Sequence, residues 1–124
     1  MKIENIKFKA KTLGTGKWVV GDLAHRITDT CIAVKDMDDI VYYPVDPATV
    51  CQFTGLKDCE GKEIWEGDIL EGESKCEIVF FKGTFATRFI NYNGKECVDP
   101  LHYFIKEDGT VECKVVGNKF DKEK

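Results

Sequence analysis

Of the signatures that announce a catalytic or cofactor-binding chain, this sequence has none. No GxGxxG, GxxxxGK[ST], GxSxG or HExxH occurs in its 124 residues. Its tightest glycine grouping, Gly14-Thr15-Gly16, lies between two strand-like patterns, with no helix N-terminus behind it to hold a phosphate. Long apolar runs are missing too. The longest, Ile40 to Val45 and Ile78 to Phe81, fall far short of the roughly 18 residues that span a bilayer. The first residues, MKIENIKFKAK, hold no apolar stretch suited to secretion, so no membrane partner and a cytoplasmic location are expected.

The chain has six cysteines (Cys31, Cys51, Cys59, Cys76, Cys97 and Cys113) but no CxxC. Six among 124 is below the density of about 8–10% that marks a disulfide scaffold, so free, apolar-behaving thiols are expected. The alternatives are disulfides, or a Cys₂His₂ site made from two distant Cys–His pairs. His25 with Cys31, and Cys97 with His102, match no recognised zinc spacing, and no cofactor or metal is expected. A Cys–His nucleophile would need a third, orienting group that the sequence does not indicate.

What is present is alternation. In IKFKAK, Ile6, Phe8 and Ala10 alternate with Lys7, Lys9 and Lys11, the period of a strand with one apolar and one basic face. Residues 6–20 read as a hairpin turning at Leu13 to Lys17 and ending at Gly21-Asp22. Cys31 to Lys35 and Ile40 to Val45 read as strands joined by Asp36 to Asp39. In VDPATV, Asp46 before Pro47 reads as the cap of a single helical turn. Gln52 to Leu56, Glu63 to Trp65, Ile69-Leu70, Cys76 to Phe81 and Thr84 to Ile90 continue the series. Asn93-Gly94 is a hairpin dipeptide, and His102 to Ile105 and Thr110 to Val116 read as the last strands. Strand signals every 8 to 12 residues predict a mainly β fold: a small, barrel-like, partly open antiparallel sheet domain with one or two short helical turns. Length predicts a single domain, 1–124, with an N-terminal β lobe (1–50) and a C-terminal barrel lobe (51–118).

Charge is uneven. Residues 1–17 carry five lysines against one acid, or +4, whereas residues 18–124 carry 13 basic and 21 acidic side chains, or −8. The acids Asp58, Glu60, Glu63, Glu66, Asp68, Glu71, Glu73 and Glu77 crowd one region, interleaved with lysines, and read as a solvated surface. Asp68 stands apart as a residue placed to bind backbone amides and fix a bend. Lys7, Lys9 and Lys11, about 7 Å apart on one strand face, could follow a single-stranded phosphate backbone. Phe8 and Trp18 are assigned to the opposite, core side. The same lysines could instead guard a sheet edge, or lie on the acidic body of another subunit.

Several stretches together resemble the YopX family of phage and prophage proteins: IKFKAK…GKWVVGDL, VDPATVCQFTGLKDCEGKEIWEGDIL, CEIVFFKGTFATRF and VVGNKFD. Within the central motif the resemblance rests on Gln52, Phe53, Thr54, Gly55, Gly61, Gly67 and Asp68 among others; Cys51, Cys59 and Trp65 depart from the pattern. The resemblance implies a phage-encoded accessory protein of the bacterial cytoplasm that forms homo-oligomers. It carries no assigned activity and no catalytic residues. Its motif positions are read as corners of the fold. The expected function is self-assembly with binding of an unidentified protein partner; the alternatives are a nucleic-acid-binding barrel and a small hydrolase.

Overall fold

The computed structural model describes residues 2–121 and contains eleven strands and three short 3-10 turns. The strands form two antiparallel sheets, neither closed into a barrel. The chain divides into two compact units, Met1–Phe53 and Thr54–Lys124. The mainly β expectation stands, and the barrel-like part of it is corrected to open sheets. Among the described residues no helix is long and apolar enough to cross a membrane.

The first unit is a meander of β1 (Phe8–Lys11), β2 (Trp18–His25), β3 (Thr30–Asp36) and β4 (Asp39–Pro44), each antiparallel to the next. Its core is Ala10, Ile32 and Val45, with Phe8, Val19, Leu23, Val34 and Val50 packed against them. β2 runs past Gly21 instead of ending there. At this point a Cβ would run into the Ala33 carbonyl of β3, so this glycine permits close strand approach and does not mark a turn. One antiparallel bridge, Thr12 to Val45, touches the far end of β4 to the end of β1, and the pairing extends no further. The Asp46 cap forms as its sequence suggests: its Oδ1 accepts the Ala48 N–H at 3.0 Å, opening the 3-10 turn Pro47–Thr49. A further 3-10 turn, Ile3–Asn5, carries no sequence signal that was read.

β5 (Cys51–Lys57) crosses the unit boundary. Its first residues, Cys51 and Gln52, pair with Lys9 and Phe8 of β1, and its later part neighbours β6 (Glu63–Trp65). The second unit then builds a five-stranded sheet, ordered β10-β9-β8-β7-β11, from β7 (Asp68–Glu71), β8 (Lys75–Phe81), β9 (Thr84–Ile90), β10 (Glu96–Pro100) and β11 (Lys114–Asn118). Ile64, Leu70, Ile78, Leu101 and Val111 form its core.

Three readings of the sequence fail in this unit, one of them Thr110 to Val116, where strand begins only at Lys114 of β11. Leu101–Phe104 is a 3-10 turn where a strand was expected, because Pro100 ends β10 and Leu101 must turn inward to be buried. β10 itself was missed, since Glu96 to Pro100 has only two apolar side chains to mark an edge strand. The Asn93-Gly94 turn is present, but only Gly94 has positive φ, so it is not the mirror-image turn that the dipeptide usually signals.

Candidate functional site

The lysine strand comes first. The β1–β2 register sets Lys11 opposite Trp18 and Lys9 opposite Val20, so Trp18 shares the lysine face, while Phe8 and Ala10 face the core. This corrects the expectation that Trp18 lies on the core side; pairing across strands, not position within one strand, decides its face. Lys9 and Lys11 place their ammonium groups 4.6 and 5.3 Å from the Trp18 ring centroid. Lys7 lies 4.8 Å from that of Phe53, whose N–H donates to the Lys7 carbonyl at 3.0 Å. Such contacts hold a long flexible side chain along an apolar surface with its charge at the margin. All three lysines are half-buried.

The motif residues divide between the units. Gln52 is half-buried opposite Phe8, and Phe53 is buried. In the second unit the Thr54 hydroxyl donates to the Ile64 carbonyl at 2.8 Å and accepts the Leu56 N–H at 3.1 Å, spanning the kink at Gly55, whose φ is +86°. Gly61, with φ +84°, closes the next turn by donating its N–H to the Asp58 carbonyl at 3.0 Å.

Gly67 and Asp68 are brought together with a residue that sequence reasoning missed, Asn118. The Asn118 amide donates to Asp68 Oδ1 at 2.9 Å and to the Glu66 carbonyl at 3.3 Å, and the Trp65 N–H donates to Asp68 Oδ2 at 2.8 Å. Gly67 sits at φ +88°, and a Cβ there would come within 3.2 Å of the Asn118 amide. Glycine is therefore required twice over, by backbone conformation and by space.

Asp58 departs furthest from its sequence reading. Placed with the solvated acids, it is fully buried. Its Oδ1 accepts the N–H groups of Glu60 and Lys62, both at 2.8 Å, and Oδ2 accepts that of Val115 at 2.9 Å, 57 residues away in sequence. Burial pushes its carboxyl up, but the three backbone donors outweigh burial and hold it below the usual carboxylate range. Asp68 is likewise buried, and Glu77 is largely so. Glu77 Oε1 accepts from Arg88 at 2.8 Å, and Oε2 forms an ion pair with the Lys119 ammonium at 3.2 Å. Burial pushes the Glu77 carboxyl up, and the two cations bring it below its ordinary value.

These buried acids are thus consumed by local structure. Both oxygens of Asp58 and of Asp68 accept from backbone or amide donors. The signal that could have separated Asp58 from its neighbours was its place at the first position of a turn ending in Gly61, where Asp side chains bind following amides. Nothing in the sequence announced Asn118. Among the described residues no group of three or more His, Cys, Asp or Glu is placed to hold a metal ion, and all six cysteines are free thiols.

One feature of the first unit remains exposed. β4 forms the end of its sheet; among the described residues β3 is the one strand laddered to it, and Ile40, Tyr42 and Tyr43 along it are all solvent-exposed. Comparison with known proteins gives one result that covers nearly the whole chain: a family model described as YopX protein matches residues 4–123. No curated protein matches the sequence.

Proposed function

The chain belongs to the YopX family, and from that premise we propose a phage or prophage accessory protein that works by binding, assembling with copies of itself and with a protein partner. The observation that carries this reading is the outer edge of β4. Asp36 and Asp39 close a two-residue hairpin, so alternation directs the backbone groups of Val41 and Tyr43 toward β3 and those of Ile40 and Tyr42 outward. Outside its last residue, no strand among the described residues pairs with that edge; there, the Pro44 carbonyl accepts the Leu13 N–H at 3.1 Å. Asp39 Oδ1 occupies the Ile40 N–H at 3.0 Å, which leaves Tyr42 as the natural centre of any added strand.

The edge also lacks the usual protection. No lysine lies in Asp39–Pro44, and large apolar side chains project from both faces. A second copy related by a two-fold axis would set Tyr42 against Tyr42, exchanging two backbone hydrogen bonds; this is the isologous contact expected of a homodimer. Arg26, with its guanidinium 5.6 Å from the Tyr42 ring, adds a cation at the rim.

A nucleic-acid role for Lys7, Lys9 and Lys11 is the second reading, and one observation favours it: Trp18 lies on their face. The same ring already engages two of the three ammonium groups, so base stacking would have to displace them. Light scattering distinguishes the readings. The wild type is expected to be a salt-resistant oligomer, and Tyr42→Lys a monomer with an unchanged β-type circular dichroism spectrum. A monomeric wild type, or an oligomer that survives Tyr42→Lys, would remove β4 from consideration. Mass gained on adding a single-stranded oligonucleotide, and lost in the Lys7/Lys9/Lys11→Glu variant, would favour the second reading.

A further inference from the structure

The second unit contains a cleft of about 490 Å³, large enough for a small organic ligand. Its inner wall is apolar. Phe89 and Phe104 line it together with the side chains of Cys76 and Cys113, and all four are partly buried. Burial pushes the Cys76 thiol up to about 11, and that of Cys113 also rises, so both stay protonated and weakly polar at neutral pH. Cys113 packs closely over Gly72, where a Cβ would lie 2.8 Å from its sulfur. Thr87, buried at the same wall, donates its hydroxyl to the Asp99 carbonyl at 3.3 Å and so presents no free donor to the cleft.

The cleft is also acidic. Glu73 and Glu112, both exposed, line it as well, and among the described residues no lysine, arginine or histidine does. Lys75 and Arg88 line an adjoining shallow depression, where Arg88 is already bound to Glu77. An apolar, partly aromatic wall beside two carboxylates discriminates by charge: it disfavours anions, and it offers an organic cation both Coulombic attraction and apolar surface.

We propose that this cleft binds a small organic cation, its apolar body against Phe89 and Phe104 and its ammonium or guanidinium group at Glu73 and Glu112. The site is independent of the β4 edge, so it is tested on the monomeric Tyr42→Lys chain or on the wild type alike. The test is a titration with 2-phenylethylammonium, read by amide ¹H–¹⁵N shifts, with 2-phenylethanol and 3-phenylpropanoate as neutral and anionic counterparts. Saturable shifts should cluster at Gly72, Ser74, Phe104 and Cys113 for the cation only. In Glu73→Gln/Glu112→Gln, whose exposed substitutions leave the core untouched, affinity should fall about tenfold, and added salt should weaken the wild type toward that level. Three outcomes would each overturn the proposal: no saturable shift, equal binding of all three probes, or an unchanged affinity in the double variant.

Discussion

The two units of this chain solve the same problem, holding an antiparallel sheet in shape, by different means. In Met1–Phe53 successive hairpins pair neighbours in sequence, and a small apolar cluster around Ile32 forms the core. Its own ends meet through backbone pairing: β1 pairs with the start of β5, the Phe53 N–H donates to the Lys7 carbonyl at 3.0 Å and the Asp46 N–H to the Lys11 carbonyl at 2.9 Å. In Thr54–Lys124 the two ends of the unit are tied together by buried polar side chains. Asp58 holds Val115, and Asn118 holds both Asp68 and the Glu66 carbonyl, over separations of 50 to 57 residues. The lesson is one of cooperativity. A turn of the meander can open locally, whereas a unit whose ends are held by buried side-chain hydrogen bonds should lose its stability as a whole.

The largest expected effect comes from cutting the strongest tie. Asp58→Ala leaves the part-buried N–H groups of Glu60, Lys62 and Val115 without their acceptor and should destabilise the second unit by about 2–4 kcal/mol. Hydrogen exchange checks it: amides of β7 to β11 should lose protection far more than those of β2 to β4. Equal loss in both units would break the contrast drawn above.

Acid provides the next largest effect. The carboxyls of Asp58 and Glu77 are lowered in the folded chain, so their contribution is fully present above their unfolded pKa values, about 3.9–4.3. It is lost as pH falls through the lower folded values. Chemical denaturation between pH 6 and pH 2 should therefore show the second unit weakening below about pH 4. In Asp58→Asn that decline should be shallower, because one of the two groups no longer titrates; an identical slope would assign the acid sensitivity elsewhere.

The smallest effect belongs to the first unit. Asp46→Ala removes a single cap bond at an exposed turn and should cost about 1 kcal/mol, with exchange changes confined to residues 46–50. A loss that spread through β1 to β4 would mean the meander is as tightly coupled as its neighbour.

The legibility of the sequence follows the same division. Hairpins whose partners are adjacent were readable from alternation and turn residues: β3 with β4, and β8 with β9, fall within a residue or two of their expected bounds. The Asp46-Pro47 cap was readable for the same reason, since it is a contact between residues two apart. Trp18 was misplaced because its face depends on register with β1, and Asp58 because its third donor, Val115, lies at the far end of the unit. Among the motif residues, the positive φ of Gly55, Gly61 and Gly67 could be anticipated from glycine in turn positions. The amide that fills the space beside Gly67 could not.

By itself, then, the sequence determined the strand period, the turns and the family, because each is written in residues a few positions apart or in a recurring order of motifs. Tertiary structure alone decided which acids are buried, which face Trp18 takes, that Asn118 completes the Gly67-Asp68 corner, and that a cleft opens under Glu73 and Glu112. Those outcomes depend on contacts between residues tens of positions apart, and on packing that leaves some space filled and some empty, neither of which periodicity encodes.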